Sequence, residues 1–356
     1  MCPKDYYGKQ LVEGGATVDQ DPYSGVFDLR GLNKSMLVSF TSVLAACVVA
    51  VMALGANGCS RDSDQVTVDF SKTLPAARPT PHAGEAGTLR GAVAAMISPR
   101  ETFIHYRQLL AYLAKKSGKD LEFVQRKTYE EISELLGKGE VDLAFICSGP
   151  YASTKARYGF VPLAVPEVQK NTSYRAYLIV NQNSPFNKLQ DLKGQTFAFT
   201  DPDSNTGKLV PTFWLAQLHQ QPETFFRKII YTYSHDNSIL AVARGLVAGA
   251  TVDGLVWEYY QATNPVFTSK TRIIKKSEAY GIPPLVASRH LPAAERERLQ
   301  QTLLSMHQDP EGRKILAELL IDRFLPLQEE WYEPIRSMQR DLAHLKEQPH
   351  APEPQK

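Results

Sequence analysis

The chain has 356 residues, 43% of them hydrophobic, with a formal net charge of +2. That length allows one large or two modest domains with a packed core, and the near-neutral balance excludes the basic bias of a nucleic-acid binder. Cys2, Cys47, Cys59 and Cys147 form no Cys-x-x-Cys pair and the eight histidines no His-Glu-x-x-His, so neither a disulfide framework nor a metal site is expected.

Residues 1–35 are polar and turn-rich, with Arg30 and Lys34 near their end. From Met36 to Leu54 the chain is uncharged and mostly apolar, and Gly55-Ala56-Asn57-Gly58-Cys59-Ser60 follows. Basic residues, an apolar run, small residues and a cysteine compose an export signal. Residues 36–59 read as a signal peptide whose end resembles a lipobox, with Cys59 lipidated and Asn57 where a small residue is usual. They also read as an uncleaved anchor, marginal against a span of about 20 residues. Met36 competes with Met1 as the start. Both readings put the rest outside a bacterial membrane, tethered in the periplasm or at the cell surface. Residues 60–88, with Pro75, Pro79 and Pro81, form a flexible tether.

Strand and helix then alternate. Leu89 to Ile97 is a strand, and Ser98-Pro99-Arg100-Glu101 has the pattern of a capping box opening a helix. Leu121 to Gln125 is a strand and Tyr129 to Leu136 a helix. Val141 to Ile146 is a strand, and Cys147-Ser148-Gly149-Pro150 leads into a helix. Ser173 to Val180 is a strand. Phe197-Ala198-Phe199 is another, running through Asp201-Pro202-Asp203 into a helix at Ser204-Asn205-Thr206-Gly207. Ile229 to Tyr233 precedes a helix from Ile239, and Ala250 to Val252 delivers Asp253. Thr271 to Lys275 and Leu285 to Ser288 are the last strands. Helices over Pro292–Gln308 and Pro310–Leu320 follow.

This alternation predicts an α/β fold of mainly parallel sheets flanked by helices, in two lobes. The first lobe takes 89–177 and 275–340, the second 178–274, and 341–356 is a loose tail. Ligands of open α/β sheets sit beyond the carboxyl ends of strands. That rule gathers Ser98, Tyr129, Ser148, Ser204, His235 and Asp253 at one cleft between lobes. A helix start has unpartnered N–H groups and a partial positive charge, which suits an oxyanion. Ser204 to Gly207 read as such a floor, against the plainer reading of an ordinary N-cap.

Asp-Pro-Asp-Ser-Asn-Thr-Gly-Lys-Leu-Val-Pro (201–211), Ser-His-Asp-Asn-Ser-Ile-Leu-Ala-Val-Ala-Arg-Gly (234–245) and Val-Asp-Gly-Leu-Val-Trp-Glu-Tyr (252–259) occur in that order after Asp191-Leu192-Lys193-Gly194. Together they resemble the phosphate, phosphite and phosphonate substrate-binding proteins of ABC importers, the PhnD-like group, from about Leu89 to Met338. The resemblance implies a type II periplasmic-binding-protein fold that closes on its ligand. It implies capture of a phosphorus oxyanion for a membrane permease; the N-terminal signal predicts export, one chain can supply both lobes as a monomer, and neither a cofactor nor catalysis is expected. The family's Ser-Thr-Ser-Gly cradle falls on Ser204, Asn205, Thr206 and Gly207, with Asn205 departing from the hydroxyl. Its histidine falls on His235, its carboxylate on Asp253, and its tyrosines on Tyr129 and Tyr174, with Tyr177 competing for the last.

Each has a plainer reading: a helix-start histidine, a strand-end cap at Asp253, packing tyrosines. Ionised Asp253 would accept a hydrogen bond from a protonated ligand, and His235 would donate, as imidazolium when charged. Ser98 and Ser148 are caps first. No nucleophile set, Gly-x-Ser-x-Gly or Walker loop is legible. The alternative function is a ligand-sensing module serving a membrane sensor kinase.

Overall fold

A computed structural model describes residues 87–347. The N-terminal extension, the signal or anchor with Cys59, nearly all the tether and residues 348–356 lie outside them.

The first sheet has the order β11-β4-β10-β3-β1-β2. Its strands are β1 (Thr88–Val93), β2 (Asp120–Val124), β3 (Leu143–Phe145), β4 (Val161–Glu167), β10 (Leu285–Ala287) and β11 (Arg323–Leu325). The second has the order β7-β6-β8-β5-β9, from β5 (Ser173–Asn181), β6 (Thr196–Phe199), β7 (Lys228–Tyr231), β8 (Gly249–Asp253) and β9 (Thr271–Gly281). Parallel pairing holds among β1, β2 and β3 and among β6, β7 and β8. The other strands join antiparallel, so both sheets are mixed.

Each of the six parallel strands runs into a helix. These are α1 (Pro99–Lys116), α2 (Tyr129–Lys138), α3 (Ser148–Tyr158), the turn Asn205–Leu209 continuing as α4 (Val210–Ala216), α6 (His235–Ala243) and α7 (Gly254–Thr263). A short α5 (Pro222–Phe225) precedes β7. Local chemistry sets several of these ends. Thr128 and Glu131 form a reciprocal capping box on α2, and Gly139 ends it at φ 75°. Ser98 makes no side-chain cap on α1, contrary to the expected capping box. Its backbone N–H donates instead to Asp236 Oδ1, at 2.8 Å, in α6 beyond the other sheet.

The lobe boundaries differ from the sequence reading. β5 pairs with β9 from Ser173 opposite Gly281 to Asn181 opposite Thr271. The chain therefore changes sheets between Glu167 and Ser173 and again between Gly281 and Leu285, not near Tyr177 and Ile274. β5 runs apolar from Ala176 to Val180, and in β9 the polar run Lys275-Lys276-Ser277-Glu278 lies inside the strand rather than at its end, so composition does not mark the crossing. Only from Ala176 does β8 join β5, leaving Ser173–Arg175 and Ala279–Gly281 as a two-stranded ribbon next to the crossing.

After β10 come α8 (Ala293–Ser305), α9 (Pro310–Glu318) and, past β11, α10 (Glu333–Glu347). Residues 341–347 thus belong to a helix rather than a loose tail. Ile335, Met338 and Leu342 are buried at helical spacing, and α10 packs on both α3 and α4. Apolar clusters fill each lobe. A third runs between them, from Ala92 and Ile132 through Leu178 and Phe197 to Met338. Each fully buried Leu or Phe in it stabilises the fold by roughly 1.5–3 kcal/mol.

Candidate functional site

The cradle begins as a local consequence of sequence. Ser204 is the N-cap of the turn Asn205–Leu209, and its Oγ accepts the Gly207 N–H at 3.0 Å. The plainer reading of Ser204 therefore holds, and the Gly207 N–H is consumed inside the turn. The turn is wide: Leu209 N donates to Ser204 O, five residues back, at 3.0 Å. Such π-type turns recur at functional sites. Gly207 is required there, because a Cβ would lie 2.4 Å from Thr200 Oγ1. Gly149, at the start of α3, plays the matching part from the first lobe. A Cβ on it would fall 2.5 Å from the Asp203 carbonyl oxygen and 3.0 Å from Asn205 N.

Helix starts from both sheets meet at this point. Tyr129 N donates to Asp201 Oδ2 at 3.2 Å, and His235 N donates to Met96 O at 2.9 Å. Ser148 Oγ donates to Gly281 O at 2.6 Å, which ties α3 to the crossing ribbon. Asn205 Nδ2 donates to Tyr174 Oη at 3.2 Å. The competing Tyr177 instead gives its hydroxyl to Glu258. The eight predicted ligand residues are thus brought into one region. Ser204, Asn205 and Thr206 are 0% exposed, His235 and Tyr129 1%, Tyr174 3% and Asp253 4%. None of the eight is Lys or Arg.

His235 is held in one tautomer. Its Nδ1 accepts the Asp253 backbone N–H at 3.1 Å and lies 3.1 Å from Thr200 Oγ1. With Nδ1 accepting, the proton of the neutral ring sits on Nε2. Burial drives the imidazole down to about 3. His235 is therefore a neutral donor, and the imidazolium expectation is corrected by its desolvation.

Asp253 is the N-cap of α7, and its Oδ1 accepts Leu255 N at 2.8 Å. Burial pushes its carboxyl up to about 7, against the pull of the amides it accepts from. Asp201, also fully buried, is pushed up to about 6 by burial, while its bonds from Asp203 N and Tyr129 N oppose the shift. Burial also holds the Tyr129 and Tyr174 phenols well above their ordinary range, so both keep their protons.

Asn205 Oδ1 and Thr206 Oγ1 are buried here without a protein partner, and the buried Tyr129 Oη makes no hydrogen bond of good geometry, with the Ser204 side chain beside it. An unmade bond at such an atom costs about 1–3 kcal/mol, so buried polar atoms without partners need an account. Among the described residues no cluster of His, Cys, Asp and Glu could hold a metal ion. Cys147 is buried with its thiol pushed up to about 12 by desolvation, which leaves it unreactive.

Sequence reasoning missed Thr200, Asp201 and Asp236. Asp201 stood in the motif but read as a turn residue; its bond to Tyr129 crosses 72 positions. No local pattern signals such a bond.

The chain matches the model of a family described as ABC transporter, phosphonate, periplasmic substrate-binding protein, over residues 92–332. It is 27% identical over 226 residues to the phosphate-import protein PhnD of Mycolicibacterium smegmatis, covering 60% of this chain and 65% of that one, under two thirds of its length. A binding protein component of an ABC phosphonate transporter from Pseudomonas aeruginosa superposes at TM-score 0.69 with 22% identity, over 74% of this chain and 88% of that one. PhnD1 of Prochlorococcus marinus, solved with methylphosphonate, superposes at 0.63 with 18% identity, over 74% and 99%. These likenesses identify the fold as the two-lobed type II periplasmic-binding-protein fold.

Proposed function

Since the chain belongs to the family of ABC-transporter periplasmic substrate-binding proteins for phosphonates, we propose that it captures a phosphorus oxyanion between its lobes for a membrane permease. The observation that carries this is the pair of partnerless buried atoms on Asn205 and Thr206, beside the Tyr129 hydroxyl, gathered where helix starts of both lobes meet. The donors are neutral: the Thr206 and Tyr129 hydroxyls and His235 Nε2–H. Rotating the Asn205 amide half a turn lets Tyr174 donate to Oδ1 and releases Nδ2 toward the guest. Nitrogen and oxygen of an amide are assigned from their bonds, and either assignment keeps the Tyr174 contact. Asp253 sets the proton count. A carboxyl and an oxyanion in contact must share a proton, so the guest or Asp253 brings one.

In this reading the protein is exported and works as a receptor rather than a catalyst. Cys59 is the lipid attachment point, one chain supplies both lobes, and the protein acts as a monomer. The transporter family favours this over a module serving a sensor kinase. Calorimetry on the full-length chain tests it with phosphate, phosphite and methylphosphonate. At least one should bind with a Kd below about 100 µM, or about 5.5 kcal/mol. Ser204→Ala combined with Thr206→Ala should abolish that binding; unchanged affinity would exclude the cradle. Mass spectrometry of the mature N-terminus checks the lipid: an unmodified, uncleaved residue 36–59 segment would reject it.

A further inference from the structure

Asp253 borders a second space besides the cradle. A cavity of about 120 Å³ opens beside its carboxyl, between the lobes. Val93, Met96, Tyr106 and Phe145 form its wall on the first lobe, and Leu255 and Tyr260 on the second. It reaches the surface past Leu320, which is 40% exposed. The walls are built aromatic edges. Tyr106 meets Phe145 edge-on with ring centroids 5.3 Å apart, and Tyr259 meets Tyr260 edge-on at 5.7 Å.

The acids and the histidine around this chamber each hold a partner. Glu258 accepts the Tyr177 hydroxyl. His105 lies 3.2 Å from Glu101 Oε2 and 3.2 Å from the Tyr259 hydroxyl. Asp253 Oδ1 accepts the Leu255 amide. An alkyl or aryl group would meet apolar faces over most of the chamber. The Tyr260 hydroxyl is buried without a partner and offers one donor to an ether or ester oxygen.

Resting on the oxyanion reading of the cradle, we propose that the ligand is an organophosphonate whose apolar substituent passes Asp253 into this chamber. Bare phosphate and phosphite leave the chamber unused. Apolar cavities of about 150 Å³ accept benzene, so this one suits a group of roughly four to six carbons. Selection then comes from burial of hydrocarbon, at about fourfold in affinity per methylene.

The test is calorimetry of the full-length protein at one pH. The series is inorganic phosphate, methylphosphonate, 2-aminoethylphosphonate, n-butylphosphonate and phenylphosphonate. Butyl- and phenylphosphonate should bind at least tenfold more tightly than methylphosphonate. Equal or weaker binding of the butyl compound, or preference for the aminoethyl one, overturns the inference and leaves the oxyanion reading standing. Silence across the series, phosphate included, removes both. Ile321→Trp places a ring in the chamber wall. It should erase the butyl advantage and leave phosphate affinity within about twofold. An intact butyl advantage in a folded Ile321→Trp protein, checked by its melting curve, places the substituent elsewhere and overturns the inference.

Discussion

Asp201 Oδ2 accepts the backbone N–H of Tyr129 at 3.2 Å, so a buried carboxylate of the second lobe sits on the first amide of a helix in the first. Asp236 does the same for Ser98 N at 2.8 Å. A carboxylate at a helix start is favoured by the dipole and by the free N–H groups. The lobes thus hold each other by the same kind of interaction as the one proposed between cradle and oxyanion. Removing one such acceptor should weaken closure. A hydrogen bond to a charged group contributes about 1.5–3 kcal/mol, so Asp201→Ala should lower ligand affinity roughly ten- to hundredfold. Titration calorimetry reads the loss, and small-angle scattering should show a larger radius for the variant at the same ligand concentration. An unchanged radius and affinity would assign Asp201 to the turn alone, through its bond from Asp203 N.

Ligand binding should take up a proton. Asp253 is held at about 7 by burial, and its carboxylate cannot face an oxyanion oxygen with neither protonated. Affinity should therefore fall as pH rises from about 7 to 9, approaching tenfold per unit for one linked proton. Calorimetry in buffers of different ionisation enthalpy counts the proton directly. Asp253→Asn keeps an acceptor for Leu255 N and should flatten the profile.

His235 has a signature in stability. Its imidazole titrates near 6.5 when unfolded and at about 3 when folded, because burial disfavours the charge. Between those values the unfolded chain holds more protons, so this residue makes stability fall as pH drops from about 6.5 toward 3. The full loss is about 5 kcal/mol. Asp201 and Asp253, raised to about 6 and 7, act in the opposite direction over part of that window, since there the folded chain holds more protons. Comparison with His235→Asn isolates the histidine. Relative to wild type, the variant should gain stability steadily below pH 6 in denaturant titrations, while losing ligand affinity at pH 7.

Gly207→Ala should damage the site from within. The added methyl would sit 2.4 Å from Thr200 Oγ1 and 2.9 Å from Ser204 Oγ. Overpacking of this kind costs about 1–3 kcal/mol. The melting temperature should drop, and binding should vanish even where the variant remains folded. Retained affinity would mean that the turn can open without consequence for the guest.

Much of the fold was legible because strands and helix caps are local. Apolar runs such as Phe197-Ala198-Phe199 and the small polar helix start at Ser204 stand out in the chain, and Ser204 does cap; the helix expected from Ile239 begins earlier, at His235, capped by Ser234. The weakly patterned pieces were not legible. β4 (Val161–Glu167) contains two prolines, β11 has three residues, and α10 hides an apolar stripe among charges. The crossings were misplaced because β5 and β9 continue unbroken past Tyr177 and Ile274.

By itself the amino-acid order determined an alternating α/β chain, the small polar helix starts, and the motif residues from Tyr129 to Asp253 as one candidate set. Tertiary structure alone decided which donors remain available and which groups carry protons. Ser204 consumes the Gly207 N–H, and Tyr174 rather than Tyr177 reaches Asn205. His235 is neutral and Asp253 is poised near 7. The reason is physical. Helix capping depends on neighbours a few residues away, whereas desolvation and partner choice depend on which distant segments close over a group, and only the folded chain brings those together.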